Sequence, residues 1–314
     1  MSKKEQFVIP SQRKIFQCYK RTSRKENILL VGTVGSGKSA TINTITATLS
    51  GERSYRAPTG SKGSIDGRKR TTNHLIWYRK CGIDGEKLKD ITVPKSFPNL
   101  VDMAGLEDRW SENHEKLLEM IVMGGIPDQT SIPAIEDVQK HDRGLWRSFP
   151  FSMQSRKIHK ILFVASANEA IPKHLIQCLK NVAQPAGSQK NLNPRYIPIF
   201  GIMTKPDLVD WKDAKILERE EEFLNCLGID SGSCYARWKN DADGEFTSSH
   251  LTFLSRLLSP DVRIVQDQRS LTSFTIDCAV DHPILFLSTW VVCFSVIFVC
   301  VSNPLLSLSF GNLK

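Results

Sequence analysis

The stretch from Asn27 to Leu49, NILLVGTVGSGKSATINTITATL, constrains the rest of the chain most. Ile28 to Val31 is an apolar run of a length that suits a buried strand. It leads into Gly32-Thr33-Val34-Gly35-Ser36-Gly37-Lys38-Ser39, which fits G-x-x-x-x-G-K-[ST] at every position. Ile42, Ile45 and Leu49 then recur at helical spacing. Strand, glycine loop and helix, in that order, is the setting in which such a loop cradles phosphate. The glycines let the backbone curl so that successive N–H groups converge, and the helix adds the positive end of its dipole. The phosphate-holding set is Gly32, Val34, Gly35, Ser36, Gly37, Lys38, Ser39 and Ala40. Lys38 can reach the β- and γ-phosphates, and Ser39 can offer its hydroxyl to Mg²⁺. A bound nucleoside phosphate is therefore expected.

A loop rich in Gly, Ser, Arg and Lys runs from Ser50 to Arg70, ahead of a strand at His74 to Tyr78. A nucleotide-sensing segment belongs in that interval, where a threonine hydroxyl closes the coordination of Mg²⁺. Thr72 or Thr71 fits this role, with Thr59 further off. A second strand, Phe97 to Val101, delivers Asp102-Met103-Ala104-Gly105. A carboxylate at Asp102 would hold Mg²⁺ through water, and the Gly105 N–H would meet the γ-phosphate. The expected metal set is Ser39, Thr72 and Asp102, and the set supporting catalysis is Lys38, Thr72 and Gly105. Leu106 follows, at a place where Ras-like enzymes carry a glutamine that orients the attacking water. Leucine cannot do this, so hydrolysis is slow or the water is positioned by another group, such as one from a second protomer. Glu107 and Asp108 read as the acidic start of a helix.

Ser111 to Met123 has helical periodicity, and residues 127–155 form a polar excursion with three prolines and no strong period. Ile158 to Ala165 is a buried strand, Ile171 to Val182 a helix, and Tyr196 to Met203 another strand. That strand delivers Thr204-Lys205-Pro206-Asp207. A carboxylate at Asp207 can accept from the N1–H and N2 amino group of guanine together, and adenine offers no such donor pair. The Lys205 stem is expected to lie over the base and brace the phosphate loop. Asp213 to Leu227 is an amphipathic helix ending at Gly228. A last strand runs from Ser233 to Trp238, with Lys239 and Asn240 leaving against the base, and a final helix covers Leu251 to Leu258. The alternation implies an α/β chain. Its expected fold is the three-layer P-loop NTPase fold, a mostly parallel sheet with nucleotide at the carboxyl ends of the strands.

The formal charge of +9 is concentrated at the N-terminus, where Lys3, Lys4, Arg13, Lys14, Lys20, Arg21, Arg24 and Lys25 face only Glu5 and Glu26. Residues 1–26 read as a basic, solvated arm, a type of segment that acidic lipid or nucleic acid attracts. No basic patch interleaved with aromatics supports specific nucleic-acid binding. The eight cysteines are scattered without a C-x-x-C pair, which suits reduced thiols in the cytosol. Ile284 to Ser302 carries no charge over 19 residues. As a helix it would span about 28 Å, close to the ~30 Å hydrocarbon core of a bilayer. The expected layout is a basic arm (1–26), a nucleotide-binding domain (27–260), a linker (261–283), a C-terminal transmembrane helix (284–302) and a tail (303–314). The nucleotide-binding domain would lie in the cytoplasm.

GTVGSGKS, a switch threonine, DMAG and TKPD stand in the order of the P-loop GTPases, which this chain resembles. Within them it is most similar to the interferon-induced protein 44 family. The residues that carry this are NILLVGTVGSGKSATIN, DMAGLED, EMIVMGGIPDQTS, RKIHKILFVASAN and CYARWKN, over roughly residues 27–260. The resemblance implies a Ras-like domain binding GTP or GDP with Mg²⁺, and a role in the immune or antiviral response. By carry-over, Gly32, Gly35, Gly37, Lys38 and Ser39 hold phosphate and Mg²⁺, and Asp102 and Gly105 sense the γ-phosphate. Thr204, Lys205 and Asp207 form the guanine-reading motif, and Lys239 and Asn240 match the last base-contacting loop. The apolar C-terminus departs from that family and resembles instead the membrane-anchored immune GTPases of the AIG type. Three readings follow: a slow GTPase switch, a membrane-tethered GTP-binding module that self-associates and barely hydrolyses, and an ATP-dependent P-loop protein.

Overall fold

A computed structural model of the chain describes residues 3–20, 25–59, 72–83, 87–88, 91–140, 149, 152–185, 197–232, 234–240 and 248–260. Two units divide the chain, and every described residue belongs to the larger, Met1–Gln189 with Pro194–Val265. In chain order its elements are α1 Lys3–Lys20, β1 Asn27–Val31, α2 Lys38–Ser50, β2 His74–Tyr78, the short hairpin β3 Lys87–Leu88 and β4 Ile91–Thr92, and β5 Asn99–Asp102. Then come α3 Glu112–Val122, β6 Thr130–Ser131, α4 Ile132–Lys140, β7 Lys160–Ser166, α5 Lys173–Ala183, β8 Ile199–Thr204, α6 Ala214–Leu227, β9 Tyr235–Trp238 and α7 Ser248–Leu257.

The central strands are apolar without alternation, and such strands need cover on both faces. β1 makes the division plain. Leu29 and Val31 join one buried cluster with Leu117 and Ile121 of α3, Leu175 and Leu179 of α5, and Phe223 of α6. Ile28 and Leu30 join the other, with Ile42 and Ile45 of α2 and Phe253 and Leu257 of α7. β7 divides in the same way, Ile161 and Phe163 to one side, Leu162 and Val164 to the other. Helices thus cover both faces of a seven-stranded sheet of order β6-β2-β5-β1-β7-β8-β9. β5, β1, β7, β8 and β9 are mutually parallel, and β2 runs antiparallel to β5 and β6. The expected three-layer, mostly parallel architecture is present. Because the chain goes from β1 to β5 on one side and later to β7 on the other, β1 sits at the switch point where α/β sheets open a crevice.

Two sequence expectations need correction. The basic arm is not simply a solvated tail: α1 buries Ile15, Phe16 and Tyr19 against the α2 and α7 face. Phe16 and Tyr19 meet Phe97 at ring-centroid distances of 4.8 and 5.3 Å. Spacings of one, three and four residues put the three apolar side chains on one helix stripe, while Arg13, Lys14 and Lys20 stay exposed. The excursion at 127–155 also has structure of its own. β6 adds a short edge to β2, and α4 buries Ile132 and Ile135. A two-residue strand and a nine-residue helix leave too little periodicity to be read from sequence.

A buried ion pair closes the edge where the parallel strands begin. Lys160 Nζ lies 2.8 Å from Glu26 Oε2, with side chains 0% and 5% exposed. The same ammonium donates to the Ser259 carbonyl at 2.6 Å, and the Tyr19 hydroxyl donates to Glu26 Oε2 at 2.7 Å. Burial, reinforced by the Glu26 carboxylate, pushes the Tyr19 hydroxyl well above its ordinary pKa. α1, β1, β7 and the end of α7 are thereby joined in one polar knot.

Among the described residues no helix is long and apolar enough to cross a membrane. Residues 284–302, where the transmembrane helix is expected, lie outside the described residues.

Candidate functional site

The site forms where β1, β5, β8 and β9 end, because parallel strands bring their carboxyl ends to one edge. β1 runs into the glycine loop. Gly37 takes φ +95° at the start of α2, a left-handed conformation that side chains resist. The strand-like pairing of Thr33 with Leu106 and the Leu106 N–H to Gly32 carbonyl bond of 3.3 Å draw the Asp102–Gly105 turn onto this loop. The approach is so close that a Cβ on Gly105 would lie 2.5 Å from the Val34 nitrogen. Only glycine fits there without moving backbone.

Lys38 is buried, and its ammonium donates to the carbonyls of Gly32 at 3.1 Å and Thr33 at 2.8 Å. It thereby holds its own loop in a curled form. Ser39 Oγ donates to Asp102 Oδ2 at 2.8 Å and lies 3.0 Å from Thr72 Oγ1. The three residues expected around Mg²⁺, drawn from α2, β5 and the segment before β2, do converge. Thr72 is buried, Thr59 is exposed, and Thr71 lies outside the described residues, so among described threonines Thr72 takes this place. Asp102 Oδ1 is buried with no hydrogen-bond partner, as is Ser36 Oγ. An orphan carboxylate oxygen beside two hydroxyls is a hard oxygen set of the kind Mg²⁺ prefers, so the residues present fit that ion. Burial pushes the Asp102 carboxyl above the ordinary carboxylate range, against the opposing pull of the Lys38 charge, the Ser39 hydroxyl and the Met103 N–H.

On the far side of the loop, Thr204 ends β8 fully buried, and its hydroxyl donates to the Ser36 carbonyl at 2.6 Å. The brace on the phosphate loop therefore comes from Thr204. Lys205, expected to provide it, turns away with φ +56° and its ammonium 3.3 Å from Glu169. Asp207 follows, exposed, in the short helical turn Pro206–Leu208.

Lys239 is exposed beyond β9. Asn240 is committed to protein contacts. Its Oδ1 accepts from the Trp238 indole N–H at 3.0 Å, with Thr44 Oγ1 at 3.2 Å, and its Nδ2 donates to the Gly37 carbonyl at 3.4 Å. Expected against the base, Asn240 instead makes a second brace on the phosphate loop. No local sequence signal marks this brace, since Thr44 and Gly37 stand about two hundred positions away.

Gly35 and Val34 form the exposed to half-buried crest of the loop, with Ala40 in the first turn of α2. Leu106 is 0% exposed and packs in the core beside α3, so its side chain presents nothing to the site. Asp108 does not start α3; its Oδ1 accepts from the Leu175 N–H in the first turn of α5, at 3.0 Å.

No family model matches the chain, and no curated protein sequence does. Solved structures with a similar course include Toc33 from Arabidopsis thaliana, in a dimerization-deficient mutant, at 12% identity and a TM-score of 0.41. The match covers 85% of this chain and 96% of that one. The bacterial selenocysteine-specific elongation factor EF-Sec is similar at 16% identity and a TM-score of 0.35, over 69% of this chain. This chain spans 26% of the elongation factor's length. At those scores the likenesses add no weight to the geometry of the site.

Proposed function

We propose that this chain binds a guanine nucleotide with Mg²⁺ and acts as a slow GTPase switch. One observation carries the reading: Ser39, next to Lys38, stands within 3.0 Å of both Thr72 and Asp102, and one Asp102 oxygen is buried without a partner. On this reading the N–H groups of the glycine loop and the Lys38 ammonium take the phosphates, and Ser39, Thr72 and Asp102 hold the cation. The ion would neutralise charge that builds on the phosphate oxygens. Thr72 lies on the segment before β2 and Gly105 on the turn after β5, and on this reading both loops would respond to the presence of a third phosphate. Asp207 would read guanine, on the same strand-end edge.

The burial of Leu106 favours the low-turnover version of this reading. Nothing polar from that position can order a water, so hydrolysis awaits a group from elsewhere, a second protomer among the candidates. The similarity of the quoted stretches to the interferon-induced protein 44 family supports an immune role. Residues 284–302 would tether the domain to a membrane, leaving it in the cytoplasm. Fractionation checks the tether: the full chain should sediment with membranes, and removal of 284–314 should release it.

Calorimetry of the full-length chain with GTP, GDP and ATP, each with Mg²⁺, tests the nucleotide reading. Selective guanine binding is expected. Asp207→Asn removes the carboxylate that accepts two donors from guanine, so the GTP-to-ATP affinity ratio should fall at least about tenfold. An unchanged ratio would assign guanine recognition elsewhere, and equal affinity in the unaltered chain would favour the ATP-dependent alternative.

A further inference from the structure

The turn that carries Asp207 is exposed and short, yet it is held from behind. Pro206–Leu208 is a single helical turn entered through the left-handed Lys205. Its own backbone closure is the Leu208 N–H to Lys205 carbonyl bond of 3.1 Å. Four residues on, the Trp211 indole N–H donates to the Pro206 carbonyl at 2.9 Å. Trp211 is held in turn: the guanidinium carbon of Arg237 stands 3.9 Å from the centre of its ring. Arg237, in β9, is fixed by a two-point bond to Glu220 of α6, Nε to Oε1 at 2.7 Å and Nη2 to Oε2 at 2.6 Å. The Tyr235 hydroxyl, also from β9, donates to the same Glu220 Oε1 at 2.6 Å.

A fork-to-fork Arg–carboxylate pair fixes the plane of the guanidinium, and a planar cation stacked on indole fixes the ring beneath it. The indole N–H is thereby pointed, and the atom it points at is the carbonyl next to Asp207. The contacts run in series from α6 through β9 to the base-reading turn. A ring that only filled space would need neither an aimed N–H nor an oriented cation.

We propose that Trp211, clamped by Arg237 and Glu220, is a positioning residue that sets guanine preference by holding the turn of Asp207. The proposal rests on the reading that Asp207 recognises guanine. It predicts an effect on base discrimination, with phosphate binding left alone, because the Trp211 indole bonds to the Pro206 carbonyl and meets Arg237, while the glycine loop is braced by Thr204 and Asn240.

The variant Trp211→Phe keeps an aromatic face for Arg237 and deletes the N–H. Affinities of the full-length chain for GTP and ATP with Mg²⁺ are compared with those of the unaltered chain. The GTP-to-ATP ratio should drop about three- to tenfold, the size of one lost hydrogen bond, with ATP affinity held within about twofold. In an Asp207→Asn background the same change should move the ratio no further, since its route to the base is already cut. Glu220→Gln, which loosens the clamp while leaving the indole in place, should shift the ratio in the same direction by less. A thermal melt identifies any variant that fails to fold; were Trp211→Phe such a case, Glu220→Gln decides the matter. A ratio that stays constant, or GTP and ATP affinities that fall together, overturns the positioning role. An unaltered chain with no guanine preference overturns the underlying reading instead, and that is seen before any variant is made.

Discussion

Replacing Lys38 by alanine should weaken binding of GTP with Mg²⁺ by about a hundredfold. A hydrogen bond to a charged group contributes about 1.5–3 kcal/mol, roughly a ten- to 150-fold change in affinity, and a lysine facing a phosphate belongs at the upper end. Two features of this site add to the loss. The ammonium ties the carbonyls of Gly32 and Thr33 together, so its removal releases the curl of the loop as well as the charge. It also opposes the rise that burial imposes on the Asp102 carboxyl, so its loss makes that group harder to ionise and the cation harder to hold. The fold should survive, because the Gly32 carbonyl keeps the Leu106 N–H and the Thr33 carbonyl keeps the Ser36 N–H as donors. Calorimetric titration with a thermal melt alongside checks both halves. Binding within threefold of the unaltered chain would place the nucleotide somewhere other than this loop.

The largest effect on stability should come from the opposite edge of the sheet. Lys160→Ala should destabilise the domain by about 3–5 kcal/mol, because it strands the Glu26 carboxylate in a site with almost no access to water. The Ser259 carbonyl loses its donor at the same time. Urea unfolding of the full-length chain measures this as a lower midpoint with an unchanged slope. The double variant Glu26→Gln with Lys160→Met removes both charges and should recover much of the loss, since burying a neutral amide costs far less than burying an unpaired charge. If Lys160→Ala unfolded at the original midpoint, the pair would have to be wet in solution.

The strands around the site were legible because burial on both faces writes them as unbroken apolar runs: NILLV, the strand before DMAG, ILFVAS and IFGIMT. The residues at their ends were legible because each motif requires particular atoms, and the meeting of Ser39, Thr72 and Asp102 follows from parallel strands sharing an edge. Other features were hidden for distinct physical reasons. In α1 a stripe of three apolar residues is outnumbered by basic ones, so charge spoke louder than period. Lys160 stands at the head of an apolar run and gives no sign that its charge is buried, because its partner Glu26 lies far away in sequence. The brace on the phosphate loop, expected of Lys205, comes from Thr204, since four letters do not say which side chain faces that loop. The bracing by Asn240 and the clamp on Trp211 are long-range contacts that no local pattern records.

The first helix also bears on how such a chain is made. α1 leaves the ribosome ahead of the other described elements, yet two of its supports, α7 and the Ser259 end of the polar knot, are synthesised last among them. Until then Ile15, Phe16 and Tyr19 settle against an apolar cluster that still lacks Phe253, Leu254 and Leu257. A nascent chain stalled before α7 would display an unfinished apolar face on its newly formed sheet. Such intermediates are the ones that chaperones hold and that aggregate when crowded. The contact of α1 with α7 joins the first and last of the described elements, so yield in the cell should depend on finishing α7 as much as on the stability of the finished fold.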